Sequence, residues 1–466
     1  TATFDGNQSD LNRLKEFVAT QEAQDRIGTK LLGLHGDEFV TPDGALTVDG
    51  WADDPDTVLT DADHPLSTAI DITPDDGADY DETAVREILR LLPQTRNSER
   101  FLPVLGWFYA APFRPHIQEW SGEFNLLNVL GDTGSGKTST LETLWRLFGV
   151  NEELREAKAT PFSIMRTIAS SNALPVIFDE YKPTEIPQYR LDALHSNLRE
   201  STRGGVVTKG NSDMSVDNYY LQAPVCISGE QPIQGPAEER RTILTVFKRD
   251  VTVGDTPEQK AYARLVGGEA NGTWYDGYEL RNHALAYYRW VLDQPKSDLQ
   301  NLWEDSRRRV MDLVEELSHE SLDDTVIQGF QTIKFGTTLY RAFADAMGVD
   351  PDETGVTTTA VNDAIRYVAD SGTGAEHTSH LDRLLGLMNR AARSGYLSEG
   401  EHYKVVHQNK PNAELRVHLP TAFDQIRRYA RDHDIQGDDL LSSADDYKAR
   451  IRDAADEPTS YITTAS

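Results

Sequence analysis

A chain of 466 residues, 38% of them hydrophobic, is long enough for about three domains with cores of their own and too apolar to stay disordered. Seventy-six acidic residues stand against 46 basic ones, a formal net charge of −30, and the single cysteine, Cys226, excludes an intrachain disulfide and any cysteine-rich zinc site. The longest apolar stretch, residues 101–113, is shorter than the roughly 20 residues a bilayer span needs and is broken by Pro103 and Pro112; with no basic-then-apolar leader, a soluble, cytoplasmic protein without membrane contact is expected.

The basic set is 33 Arg and only 13 Lys, and Asp outnumbers Glu. Acid runs such as Asp53-Asp54-Pro55-Asp56 and Asp75-Asp76-Gly77-Ala78-Asp79 lie in polar, turn-rich segments. Two readings fit: a protein whose acidity repels nucleic acid, or a halophile, whose surface carries hydrated carboxylates in place of lysines whatever the function. The second is favoured, and it leaves the partners open. The chain starts at Thr1 without a methionine, as expected of a processed chain or a piece of a longer one.

In chain order, residues 1–78 mix a helical stretch (11–23) with strand-like runs (30–40, 45–48), a small α+β module or irregular arm. Residues 79–118 form a helical lead-in, with Val85, Ile88, Leu89 and Leu92 at helical spacing and a second apolar helix at 101–111. Residues 119–255 then alternate: strand 124–130, Gly-rich turn, amphipathic helix (Leu141, Leu144, Trp145, Phe148), short strand 157–159, helix 161–170 and strand 175–178. Helix 189–203, a polar hairpin at 206–221 and strand 223–228 follow. That alternation predicts an α/β fold, a mostly parallel sheet wrapped by helices. A helical region (256–350) comes next, with residues 297–318 and 325–347 able to pair as an antiparallel hairpin. Residues 351–433 read as a winged-helix-like module: helices 356–369 and 380–392, a β-hairpin (403–406, 414–419) about the turn at 409–412, and helix 421–432. Residues 434–466 are an acidic tail.

Gly131-Asp132-Thr133-Gly134-Ser135-Gly136-Lys137-Thr138 fits G-x-x-x-x-G-K-[ST] completely, after a predicted strand and at the start of a predicted helix. Glycines let the backbone fold around phosphates, N–H groups at the helix start face negative charge, Lys137 reaches the β- and γ-phosphates and Thr138 holds Mg²⁺. Downstream, the apolar run Pro175-Val176-Ile177-Phe178 ends in Asp179 and Glu180. Asp179 then serves Mg²⁺ through water and Glu180 polarises the attacking water, which points to hydrolysis of ATP. Strand 223–228 is expected beside that one, placing Ser228 as a sensor and Glu230 near the γ-phosphate; a strand cap is the plainer role for Ser228. In Glu238-Glu239-Arg240-Arg241, either arginine can act on the γ-phosphate of a neighbouring subunit, or the run is a surface ion-pair cluster.

With those residues in place, the stretch 101–250 resembles the AAA+ ATPases of the superfamily 3 helicase type, especially the primase-associated helicase-like ATPases of plasmids, phages and archaeal mobile elements. The resembling segments are Gly131–Thr138, Asn172–Glu180, Arg203-Gly204-Gly205 and Ile227-Ser228-Gly229-Glu230, about a third of the chain. It departs from that family at Ser228, where an Asn is usual, and residues 1–100 carry no primase motif or zinc ribbon. The resemblance implies a P-loop ATPase using ATP and Mg²⁺, assembled as a homo-oligomeric ring (a hexamer favoured), working on single-stranded DNA with a primase as a possible partner. It also implies that the hairpin 206–221 enters a central channel, with Lys209 near its tip and Arg203 at its base as nucleic-acid contacts; an ordinary exposed turn is the alternative. Tyr219 and Tyr220 would stack on bases or pack within the strand. Arg383, Arg390 and Arg393 recur at helical spacing before the expected wing and Arg427 and Arg428 follow it, either a DNA-reading surface or a solvated face. Taken together, the expected function is a DNA motor, a replicative helicase of a mobile or viral element. The second class is a nucleotide-driven switch or protein remodeller, and the third an inactive ATPase that keeps its nucleotide as structural glue.

Overall fold

The computed structural model describes residues 6–19, 26–61, 63–74, 80–131, 133–210, 216–233, 235–248, 256–316, 322–407, 414–432, 443, 444, 447, 448 and 451, without the side chains of 18, 19, 236, 370–383, 386 and 390. The acid run at 75–79, Asp132, the turn at 409–412, the side chains of Arg383 and Arg390 and most of the acidic tail lie outside the described residues. The chain divides into two units, Thr1–Val368 and Ala369–Ser466.

In the first unit, four short strands (Gly33–His35, Glu38–Val40, Ala45–Thr47, Gly50–Ala52) form an antiparallel meander. Asn172 pins it to the sheet described below by exchanging hydrogen bonds with the Leu34 backbone in both directions, at 2.9 and 2.7 Å. The runs expected at 30–40 and 45–48 fall here, whereas the parallel pair Ile27–Thr29 and Thr57–Leu59 is too short and exposed to leave a periodic signal. Helix α1 (Ser98–Ala110) is buried without a break from Phe101 to Ala110.

The central sheet is built from β1 (Leu126–Leu130), which leads into α2 (Lys137–Leu147), β2 (Arg155–Glu156) and β3 (Val176–Tyr181), which leads into α3 (Gln188–Arg203). A separate hairpin, β4 (Val206–Gly210) with β5 (Val216–Tyr220), precedes the sheet strands β6 (Val225–Gly229) and β7 (Thr242–Val246). All neighbours in the sheet are parallel, in the order β7-β1-β6-β3-β2. β1 and β6 are almost wholly buried, the continuous apolar run expected of central parallel strands. β6 runs beside β3 as its sequence suggests, and Gly229 registers with both Leu130 and Tyr181, so the ends of β1, β3 and β6 share one edge. β7 alternates buried and half-buried residues, and the sequence pattern does not single it out.

Helices α4 (Lys296–Glu316) and α5 (Asp324–Ala346) pack together, with Trp303 edge-on to Phe335 at 5.3 Å and its carbonyl accepting from Gln331 Nε2 at 2.9 Å. α5 also crosses α1 at glycines, since a Cβ built on Gly336 would stand 1.7 Å from the Gly106 carbonyl oxygen. No helix among the described residues is long and apolar enough to cross a membrane.

Where two helices are expected at 356–369 and 380–392, one continuous helix, α6 (Thr358–Arg393), is found, and the chain passes into the second unit within it. The sequence between those stretches, Asp370-Ser371-Gly372-Thr373-Gly374, has the composition of a break, yet the helix continues through it. The second unit then has the hairpin β8 (Tyr403–Val406) with β9 (Glu414–Val417) and helix α7 (Leu419–Asp432). Leu387, Met388 and Ala391 of α6 share its core with Phe423, Ile426 and Tyr447.

Candidate nucleotide site

Gly131 and residues 133–136 lie between β1 and α2. A Cβ on Gly131 would meet the Phe247 carbonyl oxygen and Ser135 Oγ, both at 2.6 Å, while Gly136, the N-cap of α2, takes a left-handed φ of 75°. Lys137 is buried and its Nζ donates to the Gly131 carbonyl, reaching back across the loop. Among the described residues the buried Ser135 hydroxyl has no hydrogen-bond partner, a cost that a ligand group in the loop would remove. The Thr133 hydroxyl donates to Glu230 Oε1 at 2.7 Å, joining the loop to the segment after β6. Asp132 lies outside the described residues.

The two carboxylates lie at the same edge. Thr138 Oγ1 donates to Asp179 Oδ2 at 2.7 Å, which sets two hard oxygen donors side by side at the start of α2. Along β3 the register with β6 slips: Phe178 faces Ile227 and Tyr181 faces Gly229, so Asp179 and Glu180 together stand opposite Ser228. The slip is a β-bulge, and at it Glu180 takes a φ of 56°, left-handed for a residue with a side chain. Its carboxylate accepts from Lys158 Nζ at 3.0 Å, and that bond, with Glu156 nearby, raises the Lys158 pKa. Ser228 is fully buried and its hydroxyl, like that of Ser135, has no partner among the described residues. Two orphaned hydroxyls and a paired Thr–Asp at one sheet edge suit a phosphate group with a hard cation.

Arg96 gives no sequence signal, because its partners lie about forty residues downstream. Its guanidinium donates from Nη1 to the Ser135 carbonyl and from Nη2 to the Gly136 carbonyl, both at 2.7 Å, with the Phe247 ring 4.9 Å away. Arg100, one turn on, donates to the Val246 carbonyl at 2.9 Å and so clamps β7 to α1.

The paired arginines after β6 part company. Arg241 has 14% of its side chain exposed and is held inside its own subunit by Glu123 (3.3 Å) and the Ala237 carbonyl (2.7 Å). Arg240 has 51% exposed and meets Asp323 at 3.0 Å on the surface. Glu238, just before them, is buried and takes an ion pair from Arg199 of α3.

Arg203 is the last residue of α3, exposed and 3.9 Å from Glu123. Lys209 is exposed near the end of β4, in register with Asp217, which lies 3.9 Å from Lys30. Tyr219 meets the Phe162 ring edge-on at 6.0 Å, whereas Tyr220 is 43% exposed. In the second unit Arg393, Arg427 and Arg428 are exposed, Arg427 over the Phe423 ring at 6.0 Å.

No protein-family model and no curated protein matches the chain. Among solved structures it is similar to a chain described as "SCCmec type IV Cch - active helicase", at 14% identity and a TM-score of 0.52, over 98% of this chain and 81% of that one. That likeness establishes a helicase-like fold.

Proposed function

We propose that the chain is an ATP-hydrolysing motor of the AAA+, superfamily 3 type that moves along or unwinds DNA, a replicative helicase of a mobile or viral element. One observation carries the reading: Thr138 and Asp179 are hydrogen-bonded at a sheet edge shared with the Lys137 loop, Glu180 and the orphaned Ser228 hydroxyl. The helicase-like fold and the description of the similar chain support the DNA half of it.

In this reading the N–H groups of Gly131–Thr138 and the Lys137 ammonium bind the phosphates. Thr138 and Asp179 hold Mg²⁺, which when bound neutralises charge on the β- and γ-phosphates. Glu180, set off the strand by the bulge, orients and deprotonates the attacking water, and Ser228 reads the γ-phosphate. Arg240 is the arginine offered to a neighbouring subunit, because Arg241 is committed to Glu123. A homo-oligomeric ring, a primase as partner and a winged-helix role for the second unit belong to the same proposal. So does a halophilic surface, for which closing a ring around the strand keeps short-range contacts effective where salt screens long-range attraction.

The test is ATP hydrolysis in about 2 M KCl, where screening is near complete, with and without single-stranded DNA. We expect DNA to raise the rate, Glu180→Gln to abolish turnover while leaving nucleotide bound, and Lys209→Ala to remove the DNA response while sparing basal turnover.

A protein-remodelling motor is the second reading, and the hairpin favours it. Val206 pairs with Tyr220 and Gly210 with Val216, so one hairpin face carries Val206, Val216 and Tyr220, exposed by 50, 64 and 43%. Between them on the same face Thr208 donates to Asn218 at 2.8 Å, and a mixed face of exposed apolar residues around a polar pair suits a polypeptide. Hydrolysis indifferent to DNA and to Lys209→Ala would select that reading.

A further inference from the structure

We propose that Arg96 is the positioning residue of the phosphate-binding loop: its guanidinium fixes the two peptide units on either side of Gly136 so that their N–H groups are aimed at the phosphates. The inference rests on Gly131–Thr138 being a nucleotide site.

A trans peptide is planar, with its C=O and N–H pointing in opposite directions. The Ser135 carbonyl shares its plane with the Gly136 N–H, and the Gly136 carbonyl shares its plane with the Lys137 N–H. Arg96 accepts no freedom in either plane, because it holds both carbonyls at 2.7 Å through the two arms of one rigid fork. Both N–H groups are therefore turned away from Arg96. They are the two donors at the junction of loop and helix, where the positive end of the α2 dipole adds to their pull on an anion.

Gly136 needs this restraint more than most positions. It has no side chain and a φ of 75°, so nothing intrinsic to the residue selects that conformation over its mirror-related alternatives. The first turn of α2 also holds the Gly136 carbonyl, through the Thr140 N–H at 3.1 Å and the Thr140 hydroxyl at 2.8 Å, so the restraint that Arg96 adds and the helix does not is the one on the Ser135 carbonyl, in place before a nucleotide arrives.

Charge argues in the same direction. Arg96 is 8% exposed, and among the described residues no carboxylate forms an ion pair with it; its other neighbour is the face of Phe247. A buried cation without an anion is costly. Behind a phosphate loop, the missing anion is the nucleotide itself, attracted through the two polarised peptides.

The experiment measures ADP and ATP binding to the full chain by calorimetry for the wild type, Arg96→Gln, Arg96→Lys and Lys137→Ala. Arg96→Gln is expected to weaken both nucleotides by roughly tenfold, the scale for losing hydrogen bonds to a charged group, at unchanged bound stoichiometry. Arg96→Lys keeps the charge but not the fork, so it should bind a few-fold more weakly than the wild type and recover part of the loss. A merely structural role would instead lower the stoichiometry and leave the dissociation constant of the folded fraction alone, and that result overturns the proposal. If Arg96→Gln does not fold, Arg96→Lys decides: an unchanged dissociation constant overturns the proposal and a weakened one supports it. A wild type that binds no nucleotide, or Lys137→Ala binding as well as wild type, removes the nucleotide site itself and Arg96's role with it. Loss in Lys137→Ala alone refutes only the role of Arg96.

Discussion

His283 lies behind the far end of α2. It is wholly buried, its Nδ1 donates to the Leu147 carbonyl at 2.8 Å, and its Nε2 accepts the Tyr109 hydroxyl at 2.5 Å. Both ring nitrogens are committed to one neutral tautomer, and burial pulls the pKa down from 6.5 to about 4. Unfolding would restore the ordinary value, so between 6.5 and about 4 the unfolded state binds more protons than the folded one. Stability from this group is therefore intact above 6.5 and declines as pH falls through that window. Taking the protein from pH 7 to pH 5 should lose about 2 kcal/mol on its account. Urea unfolding at the two pH values, in constant salt, should show a smaller difference for His283→Gln than for the wild type. Equal differences in the two proteins would refute the assignment.

Among the elements, the crossing of α1 and α5 is the tightest constraint on the frame that carries the loop, since α1 is joined to β7 by Arg100 and follows directly on Arg96. Gly336→Ala would drive a methyl group to 1.7 Å from the Gly106 carbonyl oxygen, contact that only a shift of one helix relieves. We expect a loss of about 3 kcal/mol, the upper part of the overpacking range, measured as a lowered denaturant midpoint. Gly210→Ala is the control, because a Cβ there meets nothing within 4 Å among the described residues and the midpoint should hold. The strand–turn–helix around Lys137 and the apolar strand ending at Asp179 were legible because each is a local pattern: buried residues in a run, then glycines or carboxylates at its end. The bulge that sets Glu180 off the strand has no local mark, because register is a property of two strands. Arg96 is silent for the same reason, its worth lying wholly in carbonyls of Ser135 and Gly136. β7 went unseen because half of its Thr-Ile-Leu-Thr-Val face is only partly buried, and α6 ran on where glycines suggest a stop.

At the scale of the whole molecule, the distribution of arginine partners separates what a subunit keeps from what it can offer. Arg241 and Arg203 converge on one acid, Glu123, and Arg199 is spent on the buried Glu238. Arg240 meets Asp323 on the surface instead, with half its side chain exposed. An ATP site built from the Lys137 loop of one subunit and Arg240 of the next would be split across every interface of a ring, and that has a consequence for mixtures. Lys137→Ala subunits have no working loop but still present Arg240; Arg240→Ala subunits have a working loop but present nothing. Each variant alone should be nearly inactive. Mixed in equal amounts and reassembled, about a quarter of the interfaces pair a working loop with a working arginine, by random placement around a cyclic assembly. Hydrolysis should therefore return in the mixture, to a level that neither variant reaches alone. A mixture no more active than the average of its two components would mean that Arg240 acts within its own subunit, where its partner is Asp323 and its contribution is to hold the start of α5.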